Sequence, residues 1–281
     1  MKQIKIKCPA KLNLTLEVLN RRPDGFHNIK SIMQTISLYD YLTISIRHAN
    51  STKILLSGNS EEIPYNEKNL VYKACELFLK EANINDVKID VYIEKNIPVA
   101  AGLAGGSTDG AGAIYGLNKL LNIFDNDKLH TLCAKLGSDL NVCLQGGCLL
   151  ATSRGEIIKP LPVIEKDVTL IKPSNLGISA KEAYTKYSLK TEKSQNNMTE
   201  KMVEALKNGT DIESYLYNDL EYAFFDDYPE LQQIKQSYQQ AIMSGSGSTY
   251  FILGDIKNTK FDENYIVINN LKFIGDGVSV V

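Results

Sequence analysis

Apolar and polar residues alternate along most of the first sixty positions of the chain. A period of two is typical of strands that bury one face. The segment Arg22-Pro23-Asp24-Gly25 is typical of a turn between such strands. The alternating segments are IKIK (4–7), LNLTLEVL (12–19), IKSIMQTISL (29–38), YLTISIRH (41–48) and KILLS (53–57). Together they predict an antiparallel sheet.

After residue 69 the period becomes that of a helix, interrupted by the strand-like segment VKIDVYIEK (87–95). Three apolar helix faces follow one another: Leu70, Ala74, Leu77 and Phe78; Ala111, Ile114, Leu117 and Leu121; and Leu129, Leu132 and Leu136. Gly137 is placed to end the third helix. The sequence therefore predicts a helix that returns to the sheet, followed by a helical pair.

The second half of the chain mixes both periods. DVTLIKPSN (167–175) predicts a strand, the residues around Ala183 and Tyr184 a short helix, and KTEKSQNNMTE (190–200) a surface loop. Helical spacing continues to about residue 240, AIMSGSGSTYFILGD (241–255) predicts two strands around a Gly/Ser turn, and residues 265–281 predict further strands. We expect an α+β fold with lobes at residues 1–160 and 161–281, packed as one unit.

Composition narrows the functional classes. The 281 residues carry a net charge of -2, so no overall field favours nucleic acid or an anionic membrane. The five cysteines form no CxxC pair, which favours buried reduced thiols. The first residues lack the apolar core of a signal peptide, and no apolar run is long enough to span a membrane. These features predict a cytoplasmic protein, although a processed plastid protein would look similar.

The segment PVAAGLAGGSTDGAGA (98–113) is rich in glycine and alanine and precedes the second helix face. Glycines allow close approach of the backbone to a phosphate, and a helix N-terminus attracts anions. The segment lacks the lysine of GxxxxGK[ST] and contains no GxGxxG after the strand, which argues against the common phosphate loop and a dinucleotide fold. A tight helix entry, capped by Thr108 or Asp109, is the structural alternative.

A second Gly/Ser segment, SGSGS (244–248), lies between two apolar strands. Alone it is typical of a hairpin turn. Two such segments in one chain suggest an anionic ligand shared between the lobes.

Phosphoryl transfer would need a cation near the moving charge and a carboxylate to accept a proton. Lys11 shares one strand face with Asn13 and Thr15, and Asp139 follows a helix end in LGSDLNV. A solvated strand lysine and a turn aspartate are the alternatives. His48 and His130 show no metal-ligand spacing, and no residue is assigned as a metal ligand.

The segments PAKLNL, RRPDGFH, IPVAAGLAGGSTD, LGSDLN and MSGSGSTYF, in this order along nearly the whole chain, resemble the GHMP kinase superfamily. PAKLNL and RRPDGFH resemble the branch that phosphorylates the C2 hydroxyl of a cytidyl-diphosphate sugar alcohol in non-mevalonate isoprenoid precursor biosynthesis. The resemblance implies a two-lobed α+β fold with a ribosomal-S5-like N-terminal lobe and a ferredoxin-like C-terminal lobe. It further implies ATP with Mg²⁺, the latter near Ser107 or Thr108, and a monomer or homodimer.

The resemblance also implies roles for individual residues. Asp139 would act as the base and Lys11 would stabilise charge beside it. The ATP contacts would be Lys95, Pro98, Val99, Ala100, Ala101, Gly102, Leu103, Ala104, Gly105, Gly106, Ser107 and Thr108. The substrate contacts would be Asn13, Phe26, His27, Gly245, Ser246 and Gly247, with Phe26 and His27 at the cytosine.

Several positions depart from the family pattern. Phe26 replaces a tyrosine, Ala104 a glycine, Thr108 a serine, Asn141 a proline and Ala180 a threonine or serine. None removes a proposed catalytic group. Two alternatives stay open: another GHMP kinase, acting on mevalonate or homoserine, and a nucleotide-binding module without turnover.

Overall fold

The computed structural model describes residues 1–189, 197–223, 227–257 and 261–281. The strands are β1 (Lys2–Arg21), β2 (His27–His48), β3 (Lys53–Gly58), β4 (Val87–Glu94), β5 (Cys148–Ser153), β6 (Ile157–Leu161), β7 (Asp167–Pro173), β8 (Tyr217–Asn218), β9 (Ile242–Met243), β10 (Tyr250–Leu253), β11 (Tyr265–Lys272) and β12 (Ser279–Val280). The helices are α1 (Leu70–Glu81), α2 (Gly105–Leu121), α3 (Asn126–Leu136), α4 (Leu140–Gln145), α5 (Ala180–Ser188), α6 (Met198–Asn208) and α7 (Pro229–Ser237).

The first sheet is built on β1 and β2, which pair antiparallel from the turn at residues 22–26 almost to their far ends. Each is one long strand, where the sequence pattern predicts two shorter ones. Register shifts, such as the one between Pro9 and Ala10, interrupt the alternation without ending the strand. The antiparallel prediction is confirmed for β1 and β2.

The antiparallel prediction is wrong for β3, which pairs parallel with β4. Helix α1 connects these two strands, and a crossover through a helix brings the chain back in the same direction. Strand order in this sheet is β12-β1-β2-β4-β3, with β5 on β2, β6 on β5 and β8 parallel to β1.

Helices α1, α2 and α3 cover this sheet and form a core with it. The predicted faces are confirmed, because Ala74 and Phe78 of α1, Ile114 of α2 and Leu132 of α3 have no exposed surface. Gly137 ends α3 as predicted, and its N–H donates to Cys133 at 3.2 Å. The extended backbone of Gly137 means that the cap is not of the left-handed kind.

The second sheet is antiparallel, in the order β11-β7-β10-β9. It confirms the predicted strand at 167–175 and the two strands that flank the Gly/Ser turn. The predicted loop at 190–200 lies partly outside the described residues, and it is wrong for Met198 to Glu200, which begin α6. Helix α6 is fixed by the burial of Met202, Ala205 and Leu206.

The predicted boundary between lobes at residue 160 remains a prediction. Strands β8 and β12 join the first sheet from the C-terminal side of that boundary, where Val280 pairs with Ile6 and Tyr217 with Thr15. The first sheet therefore contains strands from both sides of that boundary.

All five cysteines are free and buried, which confirms the predicted reduced thiols. Among the described residues, no helix is long and apolar enough to cross a membrane.

Candidate active site

Residues 98–104, here called the phosphate loop, connect β4 to the N-terminus of α2. Ala100, Gly102 and Ala104 have φ of 49°, 74° and 60°, so left-handed residues alternate with others along the loop. This alternation turns the carbonyls of residues 100–104 toward the protein. Their partners are Ile178 N on Ala100 (3.3 Å), Thr249 N on Ala101 (3.3 Å), Lys11 Nζ on Gly102 (2.9 Å), Lys11 N on Leu103 (3.1 Å) and Thr108 N on Ala104 (2.9 Å).

The backbone N–H groups of the loop and of the first residues of α2 make no hydrogen bonds within the described residues of the protein. In the described part of the chain, no backbone N–H of residues 99–107 donates a hydrogen bond. Helix α2 starts without a side-chain cap, and a Cβ on Gly106 would meet nothing within 4 Å. Unpaired N–H groups at the positive end of a helix of 17 residues form an anion site. The predicted capping by Thr108 or Asp109 is therefore not what starts this helix.

Ser107 and Thr108 occupy different environments. Ser107 is half-buried, whereas Thr108 has no exposed surface and its N–H bonds to Ala104. Of the two hydroxyls, the geometry favours Ser107 as one that a ligand reaches.

Lys11 and Asp139 come together, although 128 positions of sequence separate them. Lys11 Nζ lies 3.5 Å from Asp139 Oδ2, and their side chains are 3% and 29% exposed. Asp139 precedes α4, but its carboxylate makes no capping hydrogen bond. One group is thus a buried cation and the other an accessible carboxylate, as general-base chemistry requires.

The second Gly/Ser segment packs directly against the phosphate loop. A Cβ on Gly102 would lie 2.0 Å from the carbonyl oxygen of Ser244, and one on Gly245 would lie 3.2 Å from Lys11 Nζ. Ser244 Oγ donates to Gly102 O at 3.1 Å. Both loops and Lys11 therefore meet in one place.

Asn13 has its amide orientation fixed by Ser31. Ser31 Oγ donates to Thr15 O at 2.5 Å, so it accepts from Asn13 Nδ2 at 2.8 Å. Asn13 Oδ1 is then the atom that faces Lys11, at 2.7 Å from Nζ. The orientation of Asn13 holds the ammonium close to Asp139.

Phe26 immediately precedes β2, and His27 is the first residue of β2 and contacts α5. Phe26 is 51% exposed, with the guanidinium of Arg154 5.1 Å from its ring centroid. His27 stacks on Tyr184 with 5.5 Å between ring centroids and 16° between planes. Burial, together with the negative charges of Asp139 and Asp219, raises the pKa of Tyr184. The carboxylate of Asp139 is thus close enough to Tyr184 to influence its pKa.

His27 is also held by a hydrogen bond. Its Nε2 lies 3.0 Å from Ser188 Oγ, and that hydroxyl donates to Tyr184 O at 2.8 Å. Because the hydroxyl proton is committed, Ser188 accepts from His27, and Nε2 carries the proton.

Lys95 lies beneath the start of α2. Its ammonium bonds to Asp109 Oδ2 at 2.9 Å and forms an ion pair with Asp40. It is 3.1 Å from where a Cβ on Gly105 would lie. The predicted contact of Lys95 with the nucleotide stays a prediction.

Four residues that shape the site belong to no recognisable sequence motif and were not predicted as site residues: Ser31, Asp40, Tyr184 and Asn218. Asn218 Nδ2 donates to Met243 O (2.6 Å) and Gly245 O (2.9 Å) beside the second loop. The local sequence gives little signal, because Ser31 follows Lys30 and Asn218 precedes Asp219. Their partners are far along the chain, so spacing does not reveal them.

The fold and the site define a small-molecule kinase of the GHMP class. The sequence matches the family described as GHMP kinases N terminal domain over residues 69–147. It is 38% identical over 261 residues to 4-diphosphocytidyl-2-C-methyl-D-erythritol kinase of Clostridium perfringens, covering 90% of this chain and 89% of the relative. The enzyme of that name from Caldanaerobacter subterraneus is 40% identical over 265 residues, covering 91% and 90%. The chain belongs to the 4-diphosphocytidyl-2-C-methyl-D-erythritol kinase family.

Solved structures agree with the fold. A crystal structure of 4-(cytidine 5'-diphospho)-2C-methyl-D-erythritol kinase matches with a TM-score of 0.76 and 27% identity, over 97% of this chain and 100% of that chain. Homoserine kinase from Cytophaga hutchinsonii matches with a TM-score of 0.79 and 18% identity, over 100% and 98%. At that identity the second match shows the fold alone.

Proposed function

We propose that the protein transfers the γ-phosphoryl group of ATP to the C2 hydroxyl of 4-diphosphocytidyl-2-C-methyl-D-erythritol, in isoprenoid precursor biosynthesis. One observation carries the proposal: the loop with unused N–H groups at residues 99–107 and the Lys11–Asp139 pair meet at Gly102. The relatives at 38% and 40% identity support the choice of acceptor.

The N–H groups of the phosphate loop would bind the phosphates of ATP. Asp139 would accept the C2 hydroxyl proton while the new P–O bond forms and the bond to the leaving ADP breaks. Lys11, held by Asn13 and Gly102, would offset the charge that develops on the transferred group.

Mg²⁺ would arrive with ATP. Among the described residues, no cluster of three metal-ligating side chains exists, and this fits a cation held mainly by phosphates and water. The half-buried Ser107 offers a hard hydroxyl oxygen of the kind that Mg²⁺ prefers, and it would help to hold the ion. When bound, the ion would neutralise phosphate charge.

Phe26, His27 and Tyr184 favour an acceptor that carries a nucleobase. The exposed ring of Phe26 offers a surface on which a base can stack, and it is followed by the buried His27, which is held against Tyr184. Mevalonate and homoserine have no ring that would use them. Gly245, Ser246 and Gly247 would lie where donor and acceptor meet.

An ADP-release assay with four acceptors tests the substrate. The cytidyl acceptor should support turnover, while mevalonate, homoserine and galactose should leave only background ADP. Turnover with mevalonate or homoserine alone would establish another GHMP kinase, and none with any acceptor would favour a non-catalytic module.

Asp139→Asn tests the base. The variant should lose roughly 10²- to 10⁴-fold in kcat, the usual share of a general base, and should still bind ATP. Asp125→Asn is the matched control, because Asp125 also precedes a helix but uses its side chain to cap Lys128 N. Normal turnover in Asp139→Asn would refute the assignment.

A further inference from the structure

Two carboxylates and one lysine form a buried network under the phosphate loop. Asp40, Lys95 and Asp109 have side chains that are 0%, 5% and 4% exposed. Lys95 Nζ bonds to both carboxylates, on Asp40 of β2 and Asp109 of α2. These three residues are called the loop clamp below.

The loop clamp holds both ends of the loop. Asp40 Oδ1 accepts from the N–H groups of Asn96 (2.6 Å) and Ile97 (2.8 Å), the two residues before Pro98. Asp109 lies in the second turn of α2, just past the segment with unused N–H groups. Through Lys95, the residues that enter and leave the loop are tied to one position of β2.

Stability alone does not account for this arrangement. Burying three charges carries a desolvation cost that apolar residues would avoid, so a buried ion network is weak support for a stabilising role. Asp109 Oδ1 accepts no hydrogen bond within the described residues. Burial raises the pKa of Asp109 to about 7, despite the charge of Lys95. What the network does provide is a fixed separation between the two loop ends.

We propose that Asp40, Lys95 and Asp109 are positioning residues for the phosphates of ATP, acting through the loop backbone rather than by contact with the nucleotide. Convergent N–H groups bind an anion well only if their directions are fixed before it arrives. This inference rests on the proposed use of ATP, and it gives Lys95 a different role from the direct contact predicted from the sequence.

The test compares Asp109→Asn, Lys95→Met and the double variant. Asp109→Asn keeps the side-chain shape and should raise both the KM for ATP and the dissociation constant of ADP roughly tenfold, as expected for losing one charged hydrogen bond. The KM for the cytidyl acceptor should change less than about twofold. Because Asp109 acts through Lys95, the double variant should be no worse than Lys95→Met.

Glu81→Gln is the matched control. Glu81 of α1 also pairs with two charged residues, Lys128 and Lys135, but both belong to α3 and not to the loop clamp. The variant should leave the ADP affinity unchanged. A lower melting temperature in Asp109→Asn with unchanged ADP affinity would overturn the positioning role, as would additive effects in the double variant. ADP titration needs no acceptor, so it tests the loop clamp separately from the proposed function. If Asp109→Asn bound ADP more weakly but the wild-type protein showed no turnover with the cytidyl acceptor, the proposed function would be refuted and the positioning role of the loop clamp would stand.

Discussion

The orientation of the His27 ring is set by neighbouring side chains. Its ring is fixed by stacking on Tyr184 and by the hydrogen bond to Ser188. His27→Ala should raise the KM for the cytidyl acceptor roughly tenfold, as expected for losing one hydrogen bond to the base, and change the KM for ATP little. His48→Ala, at the exposed end of β2, is the control. Steady-state kinetics would contradict a nucleobase role if both KM values rose equally.

Single residues were predictable where their type and local setting were distinctive. Lys11 and Asp139 were selected as a cation and a carboxylate, and the structure brings them within 3.5 Å. Asp40 was not selected, because an aspartate between two tyrosines in a strand gives no hint that it is fully buried. Its partners lie more than fifty positions away.

At the level of elements, Gly102 and Gly106 differ in whether a side chain would fit at their positions. Gly102 has a φ of +74° and no space for a Cβ, since the carbonyl oxygen of Ser244 would be 2.0 Å away. Gly102→Ala should separate the two loops, lower the melting temperature and abolish turnover.

Gly106→Ala is the matched substitution in the first turn of α2, just after the loop. A Cβ there meets nothing within 4 Å, so the variant should keep the wild-type melting temperature and weaken ADP binding by intruding on the bound phosphates. Calorimetry and ADP titration distinguish the two variants. Normal ADP affinity in Gly106→Ala would mean that phosphates do not approach Gly106, and a lower melting temperature would contradict the open space around it.

The type of an element, helix or strand, was easier to predict from the sequence than the residues at which it begins and ends. The helix faces and the β9–β10 hairpin follow from periodicity, because burial imposes the same period on sequence and structure. The length of β1 and β2 does not follow, since bulges break the alternation inside a continuous strand. The left-handed Ala104 was also unexpected, because alanine lacks the freedom of the glycine that it replaces.

On the scale of the whole molecule, the five buried thiols report on global unfolding. Burial raises the pKa of Cys75, Cys133 and Cys148 to about 12, and raises those of Cys8 and Cys143 as well. A thiol reagent should not react with the native protein near neutral pH, and should titrate all five thiols in denaturant. A fast-reacting thiol in the native state would contradict their burial.

The raised pKa values of these thiols predict that the free energy of unfolding falls at alkaline pH. Their pKa in the unfolded chain is the ordinary 9.0, and the folded values are higher. The unfolded state therefore loses protons first, so this contribution is fully present below pH 9.0 and is lost as the pH rises toward 12. Urea unfolding at several pH values should show this decline.

Asn218 joins parts of the molecule that the sequence keeps far apart. It belongs to β8, which pairs with β1, and it donates to Met243 O and Gly245 O beside the second loop. It also accepts from Leu220 N at 2.9 Å, and it is 1% exposed. Asn218→Ala should cost about 3 kcal/mol of unfolding free energy, because buried backbone groups lose their partners, and it should lower turnover by releasing the loop beside Lys11.

Asn118 is the matched control for Asn218. Its side chain also makes three backbone hydrogen bonds, to the N–H groups of Ile123 and Phe124 and to Phe124 O, but all lie at the end of α2. Asn118→Ala should lose stability and keep its turnover once it is folded. If Asn218→Ala also kept full turnover under folding conditions, β8 would serve stability alone, and the second loop would not depend on it for its position next to the catalytic pair.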